Sequence, residues 1–222
     1  FCFTVPERGY DVLLGLRRTS LVLNPDEKRT VAYHEAGHAL LAEVLPHADP
    51  VHRVTILPTG MALGVTQQLP VEERQSQRRP DLDDALAVRL GGRAAEELVF
   101  GVASTGGHDD LVAATGLARH MVREWGMSDR LGHIAWGAQG PVFLGEELIH
   151  TRDYSDATAR VIDEEVTRIL DEQAARAAEV LGRHRTQLDA LAGALLERET
   201  LESADIAGIL AGARPNGAEA NG

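Results

Sequence analysis

The chain has 222 residues, of which 34 are acidic and 22 basic, giving a formal charge of -12, and 44% are hydrophobic. That length and apolar share support a globular unit with a buried core, while the acidic excess repels nucleic-acid phosphate where no basic patch offsets it. A single cysteine, Cys2, excludes an internal disulfide framework and fits a reducing, cytoplasmic setting; no run approaches the ~18 to 20 apolar residues that span a bilayer, so the chain as given is expected to be soluble.

Residues 1–23 mix Pro, Gly and Arg with short apolar runs and read as a lead-in. The segment Asn24-Pro25-Asp26-Glu27 has helix-start chemistry. The helix predicted after it carries Val31, Ala32, Ala36, Ala39, Leu40 and Val44 near a 3.6 period and stops at Pro46. Val51 to Leu57 and Ala62 to Leu69 flank the turn Pro58-Thr59-Gly60 and read as two short strands. A second helix is expected from about Asp81 to Phe100. Gly91-Gly92 interrupts its pattern, at a stability cost unless something packs closely on that backbone. The loop Ser104-Thr105-Gly106-Gly107 leads to a third helix from near Asp109 to Gly126, and an irregular stretch follows to Tyr154. Helices over Ser155 to Leu181, His184 to Glu197 and Ser203 to Leu210, the last with Ser203 as its N-cap, complete the fold. Residues 213–222 read as a disordered tail. The expected fold class is mainly α with a small β-sheet (α+β).

The chemistry concentrates in His34-Glu35-Ala36-Gly37-His38. Two imidazoles four residues apart lie one helical turn from each other, so both can point a nitrogen at one ion. Glu35 beside them is placed to take a proton from the water that the metal activates. A catalytic zinc keeps three protein ligands and one open position, so a third ligand is required. A His ten residues after His34 is ruled out by Val44, and Val44 to Val71 contains no Glu. Glu96, Glu97, His108, Asp109 and Asp110 stay open on spacing alone.

Four motifs occur in order: Val31 to Ala39 around the His pair, Leu63-Gly64-Val65-Thr66-Gln67-Gln68-Leu69-Pro70, Gly91 to Glu97, and Ser104 to Leu111. Together with Trp125-Gly126-Met127-Ser128 and Val142-Phe143-Leu144-Gly145 they resemble the peptidase domain of the FtsH family, membrane-anchored ATP-dependent zinc metalloproteases. The resemblance covers roughly Tyr10 to Leu210. It implies an Asp-zincin with one Zn2+ per chain held by His34, His38 and Asp110, the Asp of a Thr-Gly-x-x-x-Asp-Leu pattern, and with Glu35 catalytic. Asp109 stands where the family commonly has Asn, and His108 is also unusual there. The resemblance also implies that the edge of the second strand, Gly64, Val65, Thr66 and Gln67, holds extended substrate by backbone pairing. Either Glu96 or Glu97 is a candidate acceptor for the far nitrogen of a ligand His, or a surface carboxylate.

The family's ATPase module is absent: Lys28 is the only lysine and follows Glu27 rather than the Gly of a phosphate-binding loop. On the resemblance, residues 1–23 are the remnant of a linker from that module, residues 24–212 the metallopeptidase domain, and ATP acts only through the missing part. The implied parent is membrane-anchored with this domain on the cytoplasmic side. It assembles as a homo-hexamer and degrades unfolded, damaged and membrane proteins. The rival reading is a non-catalytic, ring-forming scaffold that keeps the peptidase fold, against which an intact Glu35 argues. The remaining histidines read as surface or packing residues, and the pair Arg78-Arg79 and the run Asp163-Glu164-Glu165 as solvated faces.

Overall fold

The computed structural model describes residues 23–58, 63–69, 76–136 and 154–213. The lead-in with Cys2, the turn residues Thr59 and Gly60, Val142-Phe143-Leu144, His150 and the tail from residue 214 lie outside them. Helix α1, Pro25–Val44, opens on a capping box. The Asn24 side chain accepts from the Glu27 amide at 2.8 Å, and the Glu27 carboxylate accepts from the Asn24 amide at 3.1 Å. Such caps contribute on the order of 1 kcal/mol. The helix ends where Pro46 follows the C-cap Leu45.

From Ala32 to Ala42 every residue of α1 is buried, so this helix runs through the middle of the molecule. It packs against α2, Arg79–Phe100, and against α5, Arg185–Arg198. Leu40, Leu41, Val54, Leu188, Leu191 and Leu195 form the core on that side, each large side chain contributing ~1.5–3 kcal/mol by its burial. A second cluster joins α2 to α3, His108–Arg123, and to α4, Asp156–Arg183, through Leu82, Leu86, Met121, Val122, Ile162 and Ile169. Helix α2 therefore lies between the two cores.

The Gly91-Gly92 pair does not break α2, which is continuous through it. A Cβ on Gly37 would stand 2.5 Å from the Gly91 carbonyl oxygen, and one on Gly91 would stand 2.6 Å from Leu41 Cδ1. The helices cross at these two glycines. Close packing offsets the ~1 kcal/mol that each helical glycine costs relative to alanine.

Strands β1, Val51–Thr55, and β2, Val65–Gln68, pair antiparallel as expected, and a third strand, β3, Thr200–Glu202, pairs antiparallel with the other side of β1. Sequence pattern did not announce β3. Its three residues are too few to show alternation, and it follows Glu199, which ends α5 with φ 63°. The Glu199 carbonyl accepts from the Ile56 amide at 2.9 Å, and its carboxylate meets Lys28 Nζ at 2.6 Å, so the turn is tied to both β1 and α1. Helix α6, Ser203–Gly212, begins at Ser203 itself; the N-cap is Glu202, whose amide donates to Asp205 at 3.2 Å. Likewise α2 starts two residues before Asp81, with the Arg78 amide donating to the Asp81 carboxylate at 2.7 Å. No helix among the described residues is long and apolar enough to cross a membrane.

Two expected surface groups have structural work instead. Arg79 donates to the Met127 carbonyl at 2.8 Å. Glu165 is buried, accepting from Ser128 Oγ at 2.8 Å and from Arg168 at 3.0 and 3.1 Å. It pins the segment after α3 onto α4. Glu165→Ala is expected to lower stability by about 1–3 kcal/mol, read as a shifted denaturant midpoint at unchanged slope. The Arg168 hydrogen bond, aided by Ser128 and Arg130, holds this carboxyl below its usual range. A folded pKa below the unfolded one gives stability present above the unfolded value and lost as pH falls through the folded value. The gap between wild type and variant should therefore close on acidification below about pH 4.

Candidate active site

His34 and His38 project from the buried middle of α1 toward α2 and the start of α3. His34 Nε2 lies 3.1 Å from His38 Nε2 and 3.1 Å from Asp110 Oδ2, and His38 Nε2 lies 3.4 Å from the same oxygen. The other ring nitrogens are held from behind. His34 Nδ1 stands 2.7 Å from Glu96 Oε1, and His38 Nδ1 stands 2.7 Å from the Val88 carbonyl oxygen. Since both of those partners accept, each Nδ1 carries a hydrogen and each Nε2 of a neutral ring presents its lone pair. Three acceptor atoms facing one another at such distances repel unless a proton or a metal ion lies among them. The donor set, two imidazoles and one carboxylate, suits zinc.

The electrostatics agree. Burial works against charge on His34, but hydrogen bonds with Asp110 and Glu96 outweigh it and push its pKa up to about 10. The bonds to His34 and His38 hold the Asp110 carboxyl far below its usual range despite burial. Glu96 is also lowered against the effect of burial, by His34 and by Ser104. A metal ion entering here competes with a proton.

Space is as tightly controlled as charge. Gly92 on α2 faces the pair: a Cβ there would stand 2.5 Å from His34 Nε2 and 2.6 Å from His38 Nε2. Glu96, one helical turn on, accepts from both the amide and the hydroxyl of Ser104, which heads the 3-10 turn Thr105–Gly107 leading into α3 and Asp110. One carboxylate thus braces His34 and the loop that delivers Asp110.

Glu35, beside the pair on α1, is buried and reaches β2. Thr66 Oγ1 donates to its Oε2 at 2.6 Å, and a Cβ on Gly64 would stand 2.6 Å from its Oε1. Burial pushes the Glu35 carboxyl above the ordinary range, against the opposing pull of His38, His34 and Thr66.

Of the residues singled out in the sequence, the structure brings His34, His38 and Asp110 together, with ligand atoms all within 4.8 Å of one another. Glu35 adjoins them. Among the described residues neither His108 nor Asp109 joins this group; both are exposed. The two glutamates separate: Glu96 is buried against His34, whereas Glu97 pairs with Arg93 at 2.9 Å on the surface. Strand β2 lies at one edge of the sheet, with order β2-β1-β3. Sequence reasoning missed the Val88 carbonyl, which no side-chain motif can signal. It also missed Ser104 as a brace and Gly92 as a spacer, although the paired glycines had marked that stretch of α2 for close packing.

A family model described as Peptidase family M41 matches residues 21–209, nearly the whole of this arrangement. The chain belongs to that family. Among M41 relatives, the ATP-dependent zinc metalloprotease FtsH of Acidimicrobium ferrooxidans is 58% identical over 195 residues, covering 88% of this chain and 30% of its own length. FtsH 2 of Salinibacter ruber is 48% identical over 202 residues, covering 90% and 30%. The protein named FtsH in Pseudothermotoga lettingae is 50% identical over 201 residues, covering 90% and 32%. The M41 chain thus spans about a third of the length of these curated relatives.

Proposed function

We propose that the chain is a zinc-dependent endopeptidase domain, with His34, His38 and Asp110 as ligands of one zinc ion and Glu35 as general base. The observation that carries this reading is the convergence of three acceptor atoms within 4.8 Å immediately beside a buried carboxylate on the same helix. When bound, zinc supplies a Lewis acid that acidifies water and polarises a peptide carbonyl. Glu35 takes the proton of the attacking water and delivers it to the departing amine nitrogen. The Glu96 carboxylate and the Val88 carbonyl hold the two imidazoles in one tautomer and one orientation. The backbone of Gly64, Val65, Thr66 and Gln67 offers an edge to an extended polypeptide, a mode of recognition with little demand on side-chain identity.

The relatives named above are ATP-dependent proteases three times longer than the segment they share with this chain, which supports a wider reading. In it, residues 24–212 are the peptidase domain of a membrane-anchored parent facing the cytoplasm, residues 1–23 end a linker from an ATPase module, and residues 213–222 form a tail. Substrates are unfolded, damaged or membrane proteins, and the parent is a homo-hexamer.

The test is cleavage of fluorescein-labelled casein by the zinc-loaded chain without ATP, alongside a chelated sample. Cleavage abolished by the chelator and restored by zinc is the expected result. A folded, zinc-loaded chain that leaves casein intact would favour the ring-forming scaffold. Glu96→Ala is expected to weaken zinc binding by about 10- to 100-fold, measured by competition with a chromophoric chelator.

A further inference from the structure

We propose that Thr66 is the positioning residue for Glu35, so that the strand offered to substrate also aims the general base. This rests on the proteolytic reading above and gives the Thr66 side chain a role in supporting the catalytic machinery, beside the backbone's role in the substrate edge. A buried carboxylate without donors is costly, and among the described residues Thr66 supplies the hydrogen bond to this one, at 2.6 Å on Oε2. The other oxygen, Oε1, rests against Gly64, where any Cβ would stand 2.6 Å from it and 2.8 Å from Glu35 Cγ. Gly64 immediately precedes β2 and Thr66 lies within it, and both approach the Glu35 carboxylate. Together they form a seat that touches both carboxylate oxygens.

The seat is rigid for local reasons. Threonine is β-branched and restricted at χ1, and its backbone is held in register opposite Val54 of β1, which is buried. By the alternation of side chains along a strand, Val65 and Gln67 face away from Glu35, leaving them for side chains of the polypeptide. His34 and His38 are fixed from the α2 side by Glu96 and Val88, while Glu35 between them in sequence is fixed from the β2 side. Thr66 therefore sets the direction of the base relative to the ligand imidazoles, and substrate pairing along β2 stiffens the element that carries it. Its loss should fall on kcat and spare KM.

The experiment compares Thr66→Val, which keeps the shape and removes the hydroxyl, with Thr66→Ser, which keeps the hydroxyl. The zinc-loaded chain is assayed on fluorescein-labelled casein, with zinc stoichiometry measured on each variant. The expected result is a loss of about 10-fold in kcat for Thr66→Val, the scale of a hydrogen bond to a charged group, at unchanged KM and zinc content, with Thr66→Ser close to wild type. Wild-type kinetics for Thr66→Val, a rise in KM alone, or equal damage in Thr66→Ser would each overturn the proposal. Thermal unfolding of the metal-free chain gives a second, activity-independent reading. Thr66→Val should lower the midpoint more when Glu35 is present than in a Glu35→Ala background, where only the 3.4 Å bond of the Thr66 hydroxyl to the residue-35 carbonyl is left to lose; equal shifts in both backgrounds would also overturn it. A wild-type chain that cleaves no casein counts against the proteolytic reading alone, and the unfolding pair then decides the Thr66–Glu35 link.

Discussion

Glu35→Gln is expected to leave the chain folded and zinc-loaded while lowering kcat on casein by about 10²- to 10⁴-fold, the range general bases contribute. The substitution is isosteric, and the amide oxygen still accepts the hydrogen bond that Thr66 donates at 2.6 Å, so the packing around β2 persists. What is lost is a basic oxygen. The glutamine cannot take a proton from water or hold one for the leaving nitrogen, so KM should change little. Zinc content, a thermal melt and the kinetic pair kcat and KM, measured on the same preparation, separate this from misfolding. Retained turnover with Gln at position 35 would remove Glu35 from the mechanism and with it the reason for preferring an enzyme over a scaffold.

Gly92→Ala should reduce zinc affinity by on the order of 100-fold, at the upper end of what perturbing the groups around a metal site costs. On helix propensity alone, alanine would stabilise α2 by ~1 kcal/mol. Here the sign reverses, because the new methyl would stand 2.5 Å from His34 Nε2 and 2.6 Å from His38 Nε2. Neither partner has room to yield. The imidazoles are anchored at their far nitrogens by Glu96 and Val88. The α2 backbone is locked against α1, where a Cβ on Gly37 would already meet the Gly91 carbonyl at 2.5 Å. Overpacking of this kind adds about 1–3 kcal/mol of destabilisation. Chelator competition reads the affinity and a melt of the metal-free protein reads the strain; wild-type values in both would mean that the helices separate more readily than their crossing implies.

What the sequence determined by itself was local. The cap of α1 and its stop are written within a few residues, in Asn24 to Glu27 and in Pro46, because capping and helix termination depend on neighbours in the chain. The pairing of His34 with His38 follows from helical period alone, and Glu35 comes with it. The existence and order of the six helices among the described residues and of the first two strands were likewise legible from periodicity and turn residues. Resemblance, rather than spacing, pointed to Asp110 over Glu96, Glu97, His108 and Asp109, since no local rule links residues 76 positions apart in sequence.

The tertiary structure decided everything that depends on two segments meeting. It separated Glu96 from Glu97, one braced against His34 and Ser104 and the other on the surface with Arg93, because a helix turns about 100° between adjacent residues. It drew Glu165 out of an acidic run and buried it against Ser128 and Arg168. It also made β3 from three residues that acquire strand geometry only by lying beside β1. Gly92 shows the division most plainly: its lack of a side chain is visible in the sequence, but the two imidazole nitrogens that require it come from another helix, and only the crossing of α1 and α2 brings them within reach.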